Sequence, residues 1–349
     1  MKITDVQAIY PKYMHVPSSW RSSLWQIVVK IETNVGVFGY GYGGGGLASV
    51  AIVNNHFKEL LIGKNIESKD DISEIWEHLY FESIPYGRKG IAIMALSGVD
   101  LALWDLLGKA EGTPVYNLVG TRNKQSVQSY ATGTDIEWYA ELGFTGHKFP
   151  HRWRNDLDYD TAVLSAERSR GLIGKNGKVM IDTYMSWDAE VTTRMSEQLK
   201  DFNIYWFEDV LEPDKLEAQS LLRPNVKPTL LAGGEHEFTH HGFQTIADNK
   251  ALDLWQPDIT WCGGITAALK IMQIAEHENI PVVPHRGGEV WGLHFIVSSD
   301  CENLAEILPG TREETKDELW IGEPEYFEGY IEPTDKPGFG VTPNLSMLR

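Results

Sequence analysis

Three short apolar runs each end in an acid: Asp182 in VMID, Glu208 in IYWFE and Glu235 in LLAGGE. The intervals of 26 and 27 residues are about one strand–helix–strand repeat. Consecutive parallel strands would bring the three carboxylates side by side at one rim, as hard oxygen donors for Mg²⁺ or a similar cation. A second pair keeps the same interval, Asp258 after LWQP and His285 after IPVVP. A histidine beside a carboxylate on the neighbouring strand is held in one tautomer and made more basic, which suits a general base. Lys148 in HKFP and Glu306 in LAEI end two further runs and face the same mouth if the strands form a barrel.

These residues need a scaffold of repeated strands and helices, and the second part of the chain has that texture. Candidate strands fall at 127–132, 144–149, 179–182, 204–208, 229–235, 252–256, 282–285 and 304–306, mostly 20–30 residues apart with amphipathic stretches between them. Eight such strands predict a (β/α) barrel rather than an open sheet. The leading part reads differently. Residues 1–10 alternate like a strand, and 22–32 and 35–42 read as two strands joined at Thr33–Asn34. GYGYGGGG carries six glycines between Gly39 and Gly46 and is expected to be a mobile loop or hinge. No GK[ST] follows it, which argues against a phosphate-cradling loop. Helical patterns run from about 48 to 119, one opening at the capping-type Ser68. Asp100 and Asp105 stand among apolar neighbours there and are expected to be satisfied structural acids.

A net charge of −18 argues against nucleic acid and anionic membrane as partners. Two cysteines, Cys262 and Cys301, form neither a metal-ligand spacing nor a disulfide framework. The opening MKITDVQAIY lacks the apolar centre of a signal peptide, and no apolar run approaches the roughly 18 residues of a membrane span. The expectation is a soluble, cytoplasmic protein.

Together, GVDLALWDLLGKAEGTPVYNLVG, the three-acid ladder, QPDITWCGGIT and IPVVPH resemble the enolase superfamily, in its mandelate-racemase-like acid-sugar dehydratase branch. YATGTDIEWYAELGFTGHKFP, IDTYMSWD, GGEHEFT and DKPGFGV are similar to the rhamnonate-type members. The resemblance covers nearly the whole chain. It implies an α/β fold: a (β/α)7β barrel over 123–321 under an α+β capping domain formed by 1–122, with a C-terminal tail, 322–349, packing on that domain.

The resemblance further implies Mg²⁺ held by Asp182, Glu208 and Glu235. Asp209 competes with Glu208, but strand alternation would turn only one of them inward. His285, oriented by Asp258, would take the C2 proton of an aldonic acid such as L-rhamnonate and then protonate the departing C3 hydroxyl. Glu306 would accept a hydrogen bond from the substrate. Lys148, His236, Arg21 and His15 are implied substrate contacts, with Trp20 beside them, and the glycine-rich loop would share in covering the mouth. His151 and Arg152 would reach distal hydroxyls or stay solvated. Arg286, where relatives carry small residues, would meet the substrate or form a surface ion pair. Trp291 and His294 would line the mouth or pack in the core. Many relatives carry K-x-K on strand two. This chain has Lys148-Phe149-Pro150, so a second base on the opposite face is missing. A symmetric homo-oligomer, an octamer in many relatives, is implied. The alternatives are a dehydratase or epimerase of another sugar acid and, from a different class, a non-catalytic sugar-acid binder.

Overall fold

Eight parallel segments close into a barrel after residue 127. In the computed structural model, which describes residues 1–12, 24–314 and 319–348, the strands are β4 Val127–Thr132, β5 Gly146–Pro150, β6 Lys178–Asp182, β7 Ile204–Glu208, β8 Leu230–Gly233, β9 Leu254–Trp255 and β10 Leu304–Ile307. Each of β4 to β8 pairs with the next, and β10 returns to pair with β4. The seventh position, 282–285, carries only the isolated bridges Trp255↔Val282 and Asp258↔His285. Its two prolines, Pro281 and Pro284, lack the N–H that a continuous ladder needs. His15, Trp20 and Arg21 lie outside the described residues.

Strand alternation sets what faces the barrel axis. Tyr130, Met180, Trp206, Ala232, Leu254, Val283 and Leu304 form one buried cluster inside the barrel. Two residues further along their strands come Thr132, Asp182, Glu208, Gln256, His285 and Glu306. The apolar layer is thus the floor, and the polar residues of the next layer are the mouth.

The leading domain is an antiparallel sheet of β1 Ile3–Ile9, β2 Ile27–Thr33 and β3 Phe38–Gly43. Ser68 caps the helix Lys69–Ser83 in a reciprocal box with Asp71. The glycine-rich stretch is not a mobile loop over the mouth. Gly39, Gly41 and Gly43 occupy one face of β3 against the backbone of the helix Ile91–Glu111. A Cβ at Gly41 would lie 2.0 Å from the carbonyl oxygen of Gly98, and one at Gly39 would lie 2.1 Å from that of Ala102. The missing side chains let strand and helix backbones meet.

By length and composition alone that helix could cross a bilayer, but 89% of its apolar window is buried in the protein. Its two acids are satisfied as expected. Asp100 accepts from the Thr266 hydroxyl and amide, and Asp105 accepts from the amides of Tyr40 and Phe339 and from Lys109.

The end of the chain divides. Phe339 and a bridge from Gly338 to Pro114 tie it to the leading domain. The hairpin β12 Tyr326–Phe327 and β13 Tyr330–Ile331 instead extends the barrel sheet beside β4. β11 Trp320–Ile321 pairs with β14 Thr342–Pro343.

Candidate active site

Asp182 and Glu208 are register partners on adjacent parallel strands. Both are buried. Glu208 is held from two sides: one oxygen pairs with the Lys148 ammonium, and the other accepts from Trp206 Nε1 at 3.0 Å and Gln256 Nε2 at 2.6 Å. Lys148 also pairs with Glu306, at 2.7 Å, and is itself buried. Burial would lower the pKa of this lysine, but Glu208 and Glu306 outweigh that and hold it well above its ordinary value. Its ammonium is thus committed to two carboxylates, between which it forms a fixed positive bridge.

Glu235 lies beyond the end of β8. Gly234, at φ +117°, breaks the alternation there, and Glu235 comes within 3.2 Å of His285 Nε2. A comparable break follows β7. Asp209 has φ +47°, a left-handed conformation uncommon outside glycine, asparagine and aspartate, so it does not simply point away as alternation predicts. Its carboxylate lies 3.6 Å from His236 Nε2, which is 3.3 Å from Glu235. Ligating atoms of Asp209, Glu235 and His236 all fall within 4.8 Å of one another.

His285 and Asp258 form the expected pair, Nδ1 to Oδ2 at 2.8 Å. Asp258 is acceptor-only when ionised, so the histidine carries a proton on Nδ1 and it is Nε2 that faces the mouth. Burial alone would depress the histidine pKa. The carboxylates of Glu235, Asp258 and Glu306 override it and push the value up to about 10. The strongest of these, Glu235, is a group that a cation would neutralise.

Arg286 is not a surface ion pair, because its guanidinium is buried and donates inside the protein. At φ +50° its side chain turns behind the histidine and is buried. Nε and Nη2 donate to Asp258 Oδ2 at 3.0 and 2.8 Å, and Nη2 donates to Thr260 Oγ1 at 2.6 Å. Burial works against ionising Asp258, yet Arg286 and His285 hold it well below the usual carboxylate range. Glu306 accepts from Thr132 Oγ1 and from the Arg286 amide, and its Oε2 lies 4.0 Å from His285 Nε2.

Several other side chains occupy places the sequence left open. His236 is partly exposed beside Glu235 and stacks on Trp261, ring centroids 6.2 Å apart. Arg152 lies over the Tyr184 ring at 4.8 Å, whereas His151 turns inward, its Nε2 bonded to the Asp158 carbonyl. His294 and Trp291 do not line the mouth. Both are buried against Phe339, His294 also against Tyr116 and Trp291 against Tyr42 and Trp320. Gln256, Thr132, Thr260 and Trp261 went unrecognised in the sequence. The signal for the first two was strand parity with Leu254 and Tyr130.

By donor chemistry the three expected acids suit a divalent cation, although the ligating atoms that converge within 4.8 Å are those of Asp209, Glu235 and His236. Asp182, Glu208 and Glu235 offer only hard oxygens. Burial, and then the charge of neighbouring carboxylates, hold Asp182 well above the carboxylate range, and Glu208 is raised by burial despite Lys148. The cluster therefore has more buried negative charge than Lys148 and His285 balance.

Residues 134–347 match the enolase C-terminal-domain-like family, and residues 2–120 match the mandelate racemase / muconate lactonizing enzyme N-terminal domain. The chain belongs to this enolase-superfamily group. It is 35% identical, over 98% of its length and 87% of the relative's, to a provisionally named L-rhamnonate dehydratase of Caldivirga maquilingensis. The crystal structure of L-rhamnonate dehydratase from Gibberella zeae superposes with a TM-score of 0.89 at 31% identity, covering 99% of this chain and 94% of that one. A structure of the Gibberella enzyme complexed with Mg gives the same TM-score at 30% identity, covering 99% and 95%.

Proposed function

We propose that this protein is a Mg²⁺-dependent hydro-lyase that dehydrates an aldonic acid, L-rhamnonate or a close stereochemical relative. The observation that carries the reading is the position of His285. Its Nε2 lies 3.2 Å from Glu235, and its Nδ1 is tied to Asp258, so Nε2 points to where a bound 2-hydroxy acid would lie against the carboxylates and becomes the free base once a cation neutralises Glu235. Asp182, Glu208 and Glu235 would hold the cation, and Lys148 and Gln256 would fix Glu208. When bound, Mg²⁺ supplies Lewis-acid polarisation of the substrate carboxylate, which acidifies the C–H beside it. The enolase superfamily is a general case of a Lys or His base working with Mg²⁺.

His285 Nε2 takes the C2 proton, and Asp258, held in place by its buried arginine, stabilises the resulting imidazolium. The same imidazolium returns that proton to the C3 hydroxyl, which leaves as water on the same face. The enol product then tautomerises to a 2-keto-3-deoxy acid. Glu306 accepts a hydrogen bond from the substrate in the same mouth. Pro150, where many relatives have a second lysine, offers no base on the other face, which favours elimination over racemisation.

The test is a panel of aldonic and aldaric acids with Mg²⁺, with 2-keto-3-deoxy product read by semicarbazide. Turnover of L-rhamnonate, L-mannonate or L-lyxonate is the expected outcome. Turnover confined to an unrelated acid would move the specificity. Silence of the whole panel, together with no deuterium exchange at C2, would remove the enzymatic reading.

A further inference from the structure

Gln26 lies 234 residues from Thr260 in the sequence and meets it in the core. It is fully buried immediately before β2, in the leading domain. The residue before it, Trp25, sits at φ +54°, with its carbonyl accepting from the Gly46 amide at 2.7 Å. A left-handed tryptophan costs about 1 kcal/mol or more, and such strain persists only where the surroundings over-determine it.

Both ends of the Gln26 amide are used on consecutive barrel residues. Oε1 accepts from Trp261 Nε1 at 2.7 Å, and Nε2 donates to Thr260 Oγ1 at 3.0 Å. The orientation follows from chemistry. An indole N–H can only donate, so the amide oxygen must face Trp261 and the NH₂ must face Thr260. The Thr260 hydroxyl receives a second donor, Arg286 Nη2, at 2.6 Å. Its single proton is thereby left for Asp258 Oδ1, at 2.7 Å, where the Thr260 amide also donates. Asp258 Oδ2 receives His285 and Arg286.

Trp261, the other residue Gln26 holds, presents its ring to His285 at 5.6 Å and to His236 at 6.2 Å. Gly44 adds a second contact from the leading domain: a Cβ there would lie 2.7 Å from Trp261 Nε1.

We propose that Gln26 is a positioning residue for the catalytic base: through Thr260 it sets the direction of the hydrogen bonds on Asp258, and through Trp261 it sets the wall against which His285 rests. The leading domain thus forms part of the proton-transfer apparatus. This rests on the reading of His285 as the base, and the tests separate the two.

Gln26→Glu keeps the volume and the Trp261 bond. It cannot donate to Thr260, so it draws the hydroxyl proton away from Asp258. The expected result is a fall in kcat of about 10- to 100-fold, the usual cost of losing an outer hydrogen-bond partner, with KM changed less than about threefold. In a Thr260→Val background the same substitution should add no further loss, because the group it acts through is gone. Gln26→Met, which removes both bonds without a buried charge, is the companion variant if Gln26→Glu does not fold.

A second readout needs no substrate. The downfield proton of the His285–Asp258 hydrogen bond, identified by its disappearance in Asp258→Asn, should shift or vanish in Gln26→Glu. If no aldonic acid is turned over by the wild type, this resonance still decides the question. Unchanged kcat within about twofold, or an unchanged resonance with lost activity and a lowered melting temperature, would overturn the proposal.

Discussion

His285 Nδ1 and Arg286 Nη2, on consecutive residues, converge on a single oxygen of Asp258, each at 2.8 Å. The positive φ of Arg286 makes this possible by swinging its side chain to the far side of the carboxylate. Arg286→Met removes one of the two cationic partners of the buried Asp258 and should cost about 3–5 kcal/mol of stability. Arg286→Lys keeps the charge but loses the fork that spans Asp258 and Thr260. We expect it to fold and to lose about tenfold or more in kcat. Steady-state kinetics with thermal melts check both, and wild-type kcat in Arg286→Lys would remove the arginine from the orientation of the dyad.

His285→Asn should abolish dehydration and leave Mg²⁺ affinity nearly unchanged. Asparagine has no group that can take up the C2 proton, and His285 is not among the three oxygen donors. Product formation and calorimetric Mg²⁺ titration provide the comparison. Activity within about tenfold of wild type is incompatible with a general base, whose contribution is typically 10²–10⁴-fold.

Two acid sets compete for the cation. If Asp182, Glu208 and Glu235 are the ligands, Glu235→Gln and Glu208→Gln should weaken Mg²⁺ binding by about tenfold or more, while Asp209→Asn and His236→Asn change it by less than about threefold. The scale is that of losing a ligand against losing its neighbour. Calorimetry decides between them. Comparable losses for Asp209 and His236 would transfer the site to the trio whose ligating atoms lie within 4.8 Å of each other.

Gly41→Ala places a methyl group 2.0 Å from the Gly98 carbonyl, where both partners are backbone and neither can rotate away. The strand must lift off the helix. Overpacking of this kind costs about 1–3 kcal/mol or more, read as a lower denaturant midpoint. The same change at Gly36, in the turn before β3, meets nothing within 4 Å but has a positive φ of 79°, so its penalty is the smaller one of backbone strain alone. Equal losses at the two sites would contradict the strand–helix contact.

His294 gives the stability curve an acid limb. Its Nδ1 accepts from the Tyr116 amide at 3.3 Å, and its Nε2 is buried without a hydrogen-bond partner among the described residues. Burial is the main cause that pushes its pKa down to about 3, against about 6.5 in the unfolded chain. Above pH 6.5 both states are neutral and the group adds no pH dependence. As pH falls from 6.5 toward 3 the unfolded chain takes up a proton that the folded chain refuses. Stability then drops by up to about 1.4 kcal/mol per pH unit. His294→Gln removes that slope, so the stability difference from wild type should shift by roughly 2 kcal/mol between pH 7 and 5. Denaturant titrations at the two pH values measure it, and parallel curves would show that His294 is not held neutral.

Whatever repeats with a period or an interval was legible in the amino-acid order alone. Acids and a histidine at the ends of apolar runs about 27 residues apart specify parallel strands and a common rim, and β7 has the bounds read for it. The parity of each strand also contained Gln256 and Thr132. The direction in which the chain leaves a strand end was settled in three dimensions, because one residue at positive φ undoes the parity. Asp209, Glu235 and Arg286 each come after such a break or lie on it, and one-dimensional spacing carries no record of φ. The same holds for partners far apart in the chain. Gly41 looked like part of a hinge until the helix backbone lay against it, and Gln26 had no reading until folding laid it beside Thr260 and Trp261. Long-range contacts depend on how two independently patterned domains dock, and neither pattern contains the other.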